Sequence, residues 1–358
     1  MYLPGRRWRG GSDPIQPSTQ HHPLKRRIIM KKMNLRKLAS LVLSLMMLLA
    51  LCAGCGSSGS KDTLKVAIVQ QMDHASLDEI REAIQAQLTA GAEKKNLKVS
   101  CEVFNGQNDA TVLNQIGAQV ASSGFDAIIP IATLAAQCMA TAADGTGIPV
   151  IYAAISDPVT AGLTGISNVT GTSDALNTPF ILDMMLAANP GVKTVGLLYS
   201  NSEPNSEAPI AEAKAYLDGK GIAYLEKTGN NTDEILSAAN SMVGRVDAVF
   251  TPTDNVVMGA AGAVAEILTG AGIPHYTGAD SFVAAGAFAT CGVNYSELGA
   301  YTADMALDIL SGGKVPEYHV MEGGIITVNT ETASALGLDY SVFSDMANTV
   351  KEVTTSAE

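Results

Sequence analysis

At 358 residues and 37.1 kDa, the chain has room for two domains of roughly 150 residues each. Ten of its 23 Lys/Arg and one of its 35 Asp/Glu precede Cys55, which leaves 13 basic residues against 34 acidic ones in the remainder. A body that acidic excludes nucleic-acid binding, which needs clustered Lys/Arg, and excludes docking on anionic lipid. Five cysteines exclude a disulfide-dense scaffold.

The segment MKKMNLRKLASLVLSLMMLLALCAGC, 30–55, has the layout of a secretory signal: a basic start, an apolar run from Leu38 to Leu51, then small residues. The apolar run is shorter than the roughly 20 residues that a spanning helix needs. Ala53-Gly54-Cys55 followed by GSSGS resembles a bacterial lipobox, which makes Cys55 the expected lipidation site and 55–62 a flexible tether. Residues 1–29 have no apolar periodicity and read as a non-native or disordered extension ahead of Met30.

From Leu64 onward, short apolar runs alternate with helix-length stretches. Strands are predicted at 64–69, 99–104, 127–132, 149–154, 194–199, 222–227, 248–253, 274–279 and 288–293, and helices at 76–95, 109–122, 204–219, 231–243 and 255–270. Continuous apolar strands separated by helices predict an α/β fold with parallel sheets covered on both faces. The halves repeat. DAII at 126 and DAVF at 247 are each followed by a helix, then GIP at 147 or 272 and another strand. The expected architecture is two similar doubly wound lobes with a ligand cleft between them. One lobe takes 63–172 plus about 281–314, and the other takes 173–280 plus about 315–345, with 346–358 as a tail.

In open α/β sheets, ligands bind beyond the carboxyl ends of the strands, where helix N-termini offer free N–H groups. Polar residues collect at those points: Gln70 and His74 after the first strand, Thr133 after the third, and Ser156 and Asp157 after the fourth. Thr172, Ser173 and Asp174 fall where the chain is expected to pass between lobes. The second half offers Glu203, Asn205, Ser206, Asp254, Asn255 and Asp280. Any one of them also suits a helix cap; their clustering at one edge makes them candidate ligand-binding residues.

VTGTSD (169–174), SDPVTAGL (156–163), VGLLYSNSEPNS (195–206), TPTDN (251–255) and YSELGAYTADMALDILSG (295–312) resemble the ABC-transporter substrate-binding lipoproteins of the tryptophan/tyrosine-binding type. The resemblance covers about Leu64 to Leu338. It implies a fold like that of type I periplasmic binding proteins and capture of a small solute, an aromatic or apolar amino acid, outside the membrane. It also implies delivery to ABC permease and ATPase subunits by a monomer lipid-anchored to the bacterial cell membrane. A ligand-sensing module for a membrane receptor shares this fold and is the alternative.

No HExxH, GxSxG, Walker loop or CxxC motif occurs after Cys55, so neither an enzyme nor a cofactor is expected. Cys101, Cys138 and Cys291 read as inert buried thiols. His74, His275 and His319 lack metal-ligand spacing, and no metal site is expected. The only arginines after Cys55, Arg81 and Arg245, lie in or just past predicted helices rather than at strand ends, which disfavours multiply charged anions. A zwitterionic or amide-bearing solute is favoured: Thr133 and the helix behind it fit a carboxylate, while Asp254 and Asp280 fit an ammonium. Asp280 is preferred, because the chain is expected to cross back to the first lobe there.

Overall fold

The computed structural model describes residues 63–356. The signal segment, Cys55 and its tether lie outside the described residues.

In chain order, the first lobe begins with β1 (Leu64–Gln70), α1 (Ala75–Lys94), β2 (Val99–Asn105), α2 (Ala110–Ser122), β3 (Ala127–Ile131), α3 (Thr133–Ala142), β4 (Val150–Tyr152) and β5 (Val169–Ser173). The second lobe runs α4 (Thr178–Ala188), β6 (Thr194–Tyr199), α5 (Pro204–Lys220), β7 (Ala223–Thr228), α6 (Thr232–Met242), β8 (Ala248–Thr251), α7 (Asn255–Met258), α8 (Ala261–Gly270), β9 (His275–Thr277), α9 (Asp280–Ala284) and β10 (Ala289–Gly292). The chain then returns through α10 (Tyr295–Leu310) and β11 (His319–Val320). It ends with β12 (Ile325–Asn329), α11 (Thr330–Leu336), a 3₁₀ turn (Ser341–Asp345) and β13 (Thr349–Val353).

The two sheets share one topology. The first has the order β11-β5-β4-β3-β1-β2 and the second β13-β12-β10-β9-β8-β6-β7, so β1–β5 and β6–β10 occupy equivalent places. This is the α/β, two-lobed, doubly wound architecture expected of the repeat. β1 is buried from Val66 to Gln70 and pairs in parallel with β2 and β3, as a strand covered by helices on both faces must.

Helix α1 buries Leu77, Ile80, Ile84 and Leu88, a stripe at helical spacing, against the sheet and α10. The two helices approach closely because α10 carries Gly299, where a Cβ would lie 2.6 Å from the Ile80 carbonyl. Gly171, inside the VTGTSD segment, has φ +157°, and a Cβ there would meet the Tyr152 carbonyl at 2.1 Å.

Several boundaries differ from expectation. β10, within 281–314, pairs with β9 and β12 in the second sheet, so the return to the first lobe falls at Val293–Asn294, not at Asp280. β11, expected in the second lobe, pairs with β5 of the first. The expected tail contains β13, which pairs with β12. The β10–β12 pair is antiparallel: β12 enters from the first lobe and runs against its neighbour. The predicted helix 255–270 is broken into α7 and α8 around Gly259-Ala260. Cys101 is exposed on the edge strand β2, whereas Cys138 and Cys291 are buried. Among the described residues no helix is long and apolar enough to cross a membrane.

Candidate functional site

The carboxyl ends of both sheets meet at a narrow, nearly closed cleft. From the first lobe, its border takes His74, Ser76 and Leu77 after β1, Ala132 and Thr133 after β3, and Ala154 and Ser156 after β4. The second lobe contributes Asn205 after β6, Thr253, Asp254, Asn255 and Met258 after β8, and Ala279 and Phe282 after β9. Asp174 and Tyr295 complete the border from two crossover segments. The Tyr295 hydroxyl donates to Asp174 Oδ2 at 3.1 Å, tying those crossovers together beside the cavity.

One end of the cavity is polar. Ser156 Oγ donates to Asp174 Oδ1 at 3.1 Å and lies 3.0 Å from Thr253 Oγ1 across the cleft. Asn205 Nδ2 donates to the Thr253 carbonyl at 2.6 Å, and its Oδ1 has no partner among the described residues. Burial pushes the Asp174 carboxyl above the usual carboxylate range, against the pull of the Ser156 and Tyr295 hydrogen bonds. The other end mixes Leu77, Met258 and Phe282 with His74 and Ser76. There, His74 Nε2 lies 3.0 Å from Asn255 Oδ1, and the hydroxyls of Ser76 and Ser281 hydrogen-bond across the cleft.

Thr133 opens α3 with its Oγ1 buried and without a partner among the described residues. The residue before it, Ala132, has φ 74° and ψ 163°, and Ala154 at the end of the neighbouring strand has φ 58°. Both are strained conformations for a residue with a Cβ, and both border the cavity.

Beneath the cavity, Glu203 joins the lobes. Its Oε1 accepts from Gln71 Nε2 at 2.8 Å and its Oε2 from Asn255 Nδ2 at 2.5 Å. Gln71 Oε1 in turn accepts from Leu134 N at 3.1 Å in the first turn of α3. Burial, and then the nearby Asp254 charge, raise the Glu203 carboxyl above its usual range; the amide donors of Asn255 and Gln71 act in the opposite sense.

The fourteen candidate ligand residues therefore separate. His74, Thr133, Ser156, Asp174, Asn205, Asp254 and Asn255 border the cavity. Gln70 instead ties the β1–α1 turn together, donating to the Met72 carbonyl and Asp78 and accepting from Arg81. Asp157 caps its own turn through Val159 N and Thr160 N. Thr172 hydrogen-bonds Thr302, Ser173 accepts from Ala175 N, and Ser206 donates to Asp254. Glu203 serves the interlobe link. Asp280 opens α9 half-buried and is not among the residues lining the cavity; burial and then the Glu79 charge raise its carboxyl, while Lys351 lowers it.

Asp254 touches the cavity, but three donors already occupy it: Ser200 N and Ser206 Oγ, each at 2.7 Å, and Val257 N at 2.9 Å. It is a cap first. Tyr295, Ser76, Phe282 and Ala154 were not singled out from sequence. Tyr295 lies 121 residues from its partner Asp174, and only the crossover topology brings the two together.

A family model for ABC transporter substrate binding proteins matches residues 65–347. The chain is 29% identical over 323 residues to a tyrosine-binding protein of Clostridioides difficile strain R20291, an alignment covering 85% of this chain and 93% of that one. An ABC domain from Streptococcus pneumonia in complex with L-Trp is 31% identical with a TM-score of 0.75, covering 80% of this chain and 99% of that one. The ligand-free, open structure of a substrate binding protein with adhesive properties from Clostridium difficile is also 31% identical, covering 82% and 100%, with a TM-score of 0.62. At equal identity, the agreement is lower with the open form, consistent with lobes joined by hydrogen bonds across the cleft.

Proposed function

The chain belongs to the ABC transporter substrate binding protein family, and from that premise we propose that it is the receptor of an importer whose cargo is a free aromatic α-amino acid. As in its family, the role is binding, not catalysis. The cavity's mixed lining, with Thr133, Ser156 and Asp174 alongside Leu77, Met258 and Phe282, carries the reading. Thr133 Oγ1, with the N-terminal amides of α3, receives the carboxylate; the helix terminus favours negative charge there. Asp174, flanked by Ser156 and Tyr295, receives the ammonium, with Asn205 Oδ1 as a second acceptor. Leu77, Met258 and Phe282 form the wall for a flat side chain. A relative whose name records tyrosine and another complexed with L-Trp support the aromatic class.

On this reading the two lobes close over the amino acid, and the closed form docks on a permease. Cys55 carries the lipid that keeps the receptor at the outer face of the membrane.

The test is a thermal-shift screen of the purified protein against free amino acids, sugars and dicarboxylates. A ligand at 100 times its Kd adds about 2.7 kcal/mol to stability. Upward shifts of several degrees are expected with aromatic amino acids. Shifts confined to sugars or dicarboxylates would overturn the assignment.

A further inference from the structure

The donor and acceptor roles at the apolar end of the cavity can be followed atom by atom. Asn255 Nδ2 donates to Glu203 Oε2, so the amide oxygen is the atom that faces His74 Nε2 at 3.0 Å. An amide oxygen only accepts, so Nε2 carries the ring proton. Burial lowers the His74 pKa from its ordinary value of about 6.5, against weaker upward pulls from Asn255, Asp78 and Asp73, so the ring is neutral at pH 7. The lone pair of Nδ1 is then a bare acceptor. It is sealed from solvent and meets no donor of the described residues, and it belongs to a side chain that lines the cavity.

Its surroundings identify what lies opposite. His74 shares this end with Leu77 of its own helix turn. Ser281, which hydrogen-bonds Ser76 across the cleft, places its hydroxyl 3.6 Å from Met258 Sδ and precedes Phe282. The amino-acid head group is taken at the Asp174 and Thr133 positions, which leaves the side chain for this end. An apolar wall with one unpaired acceptor suits an aromatic ring that carries one N–H or O–H. A phenyl ring would leave Nδ1 buried and unmet, and an unmet buried polar atom is costly.

We infer that His74 determines specificity at this site: its Nδ1 accepts a hydrogen bond from the ligand's own side chain, selecting the phenol of tyrosine or the indole of tryptophan over the bare ring of phenylalanine. This rests on the aromatic amino-acid reading above and adds the chemical feature by which one aromatic is told from another. Sites built to hydrogen-bond a polar group discriminate strongly against analogues that lack it.

Isothermal titration of L-tyrosine, L-tryptophan and L-phenylalanine into the purified protein tests it. Phenylalanine is expected to bind about 10- to 100-fold more weakly than the better of the other two. In His74→Leu the interlobe bond to Asn255 is also lost, which weakens all three ligands alike. The preference over phenylalanine, however, should collapse to within about threefold. His74→Gln keeps an acceptor at the position and should retain most of the preference; it is the variant to read if the leucine protein does not melt cooperatively.

Phenylalanine binding as tightly as both others in the unsubstituted protein would overturn the inference while leaving the aromatic reading intact. So would an unchanged ratio in folded His74→Leu, or a lost preference in His74→Gln. Failure of all three amino acids to bind would instead remove the aromatic reading itself.

Discussion

Asp174 differs from the other buried carboxylates at the cleft in what surrounds it. Its oxygens accept from two side-chain hydroxyls, Ser156 and Tyr295, whereas Asp254 is occupied by two backbone amides and Ser206. Hydroxyls rotate and leave lone pairs free; a carboxylate so placed keeps its charge available for an ammonium. Asp174→Ala is therefore expected to cost about 2–5 kcal/mol of amino-acid binding, a loss of at least 30-fold in titration, because the ligand's cation is left unpaired. Asp280→Ala should bind almost normally, and Asp254→Ala should lose about 1–2 kcal/mol of stability through its cap. Near-native affinity in Asp174→Ala would remove the ammonium assignment.

The sign of the pH dependence follows. Burial raises the Asp174 carboxyl in the free protein, and a bound ammonium favours the ionised form. Affinity should then fall as pH drops through that raised range, and Asp174→Asn should flatten the profile. The sequence disclosed which loops border the cleft, since polar residues gather at the strand ends. It did not disclose which of them face inward, because Asp157, Ser206 and Asp254 are the same residue types that cap turns and helices.

At the scale of elements, α3 is the part whose geometry is tuned to the cavity. Its N-terminus follows Ala132, held at φ 74° and ψ 163° while its amide donates to the Ala153 carbonyl at 3.1 Å. Such a conformation costs an alanine on the order of 1–3 kcal/mol and costs glycine almost nothing. Ala132→Gly is accordingly expected to raise stability by about 1 kcal/mol, after the greater entropy of the unfolded chain is deducted, and to raise the melting temperature. A drop in melting temperature would show that the surrounding strands do not impose the strain.

The central strands β1, β3, β4, β6, β8, β9 and β10 were legible because buried parallel strands read as apolar runs, and the edge strands β2 and β7 because they keep β-branched and aromatic residues between helix-length stretches; the buried β12 was missed although it reads as such a run. β5 was not legible, since Val169–Ser173 is polar at alternate positions and packs through Gly171 against Tyr152. β11, two residues long, and the edge strand β13, with its mostly exposed pattern, carry no such run. Asp280 was assigned to the cleft on the premise of an early crossover. The strand that follows it, β10, stays in the same sheet, and that moves the crossover past it.

For the whole molecule, the relevant equilibrium is between open and closed lobes, and Glu203 is the residue best placed to bias it. It accepts from Gln71 of the opposite lobe and from Asn255, and Asn255 also meets His74 across the cleft. Gln71 continues the chain to Leu134 N, one residue past Thr133, so the link reaches the helix terminus assigned to the ligand carboxylate. Of these, the Gln71–Glu203 and His74–Asn255 bonds cross the cleft and exist only when the lobes meet. Opening hydrates Glu203 and returns its carboxyl toward the ordinary range; closure, which raises it, thus favours the protonated form and weakens as pH rises through that interval.

Glu203→Ala removes the acceptor for both amides. Loss of the interlobe bond from Gln71 costs about 1–3 kcal/mol, which lowers the closed-to-open ratio by roughly five- to 150-fold. Because the apparent Kd scales inversely with the competent fraction, affinity should fall by a similar factor for every ligand, leaving their ratios unchanged. That separates it from His74→Leu, which alters the ratios. Small-angle scattering of Glu203→Ala should show a larger radius of gyration than the unsubstituted protein, converging when ligand is saturating. An unchanged radius together with unchanged affinity would mean that the apolar contacts of the two lobes hold them closed without the Glu203 link.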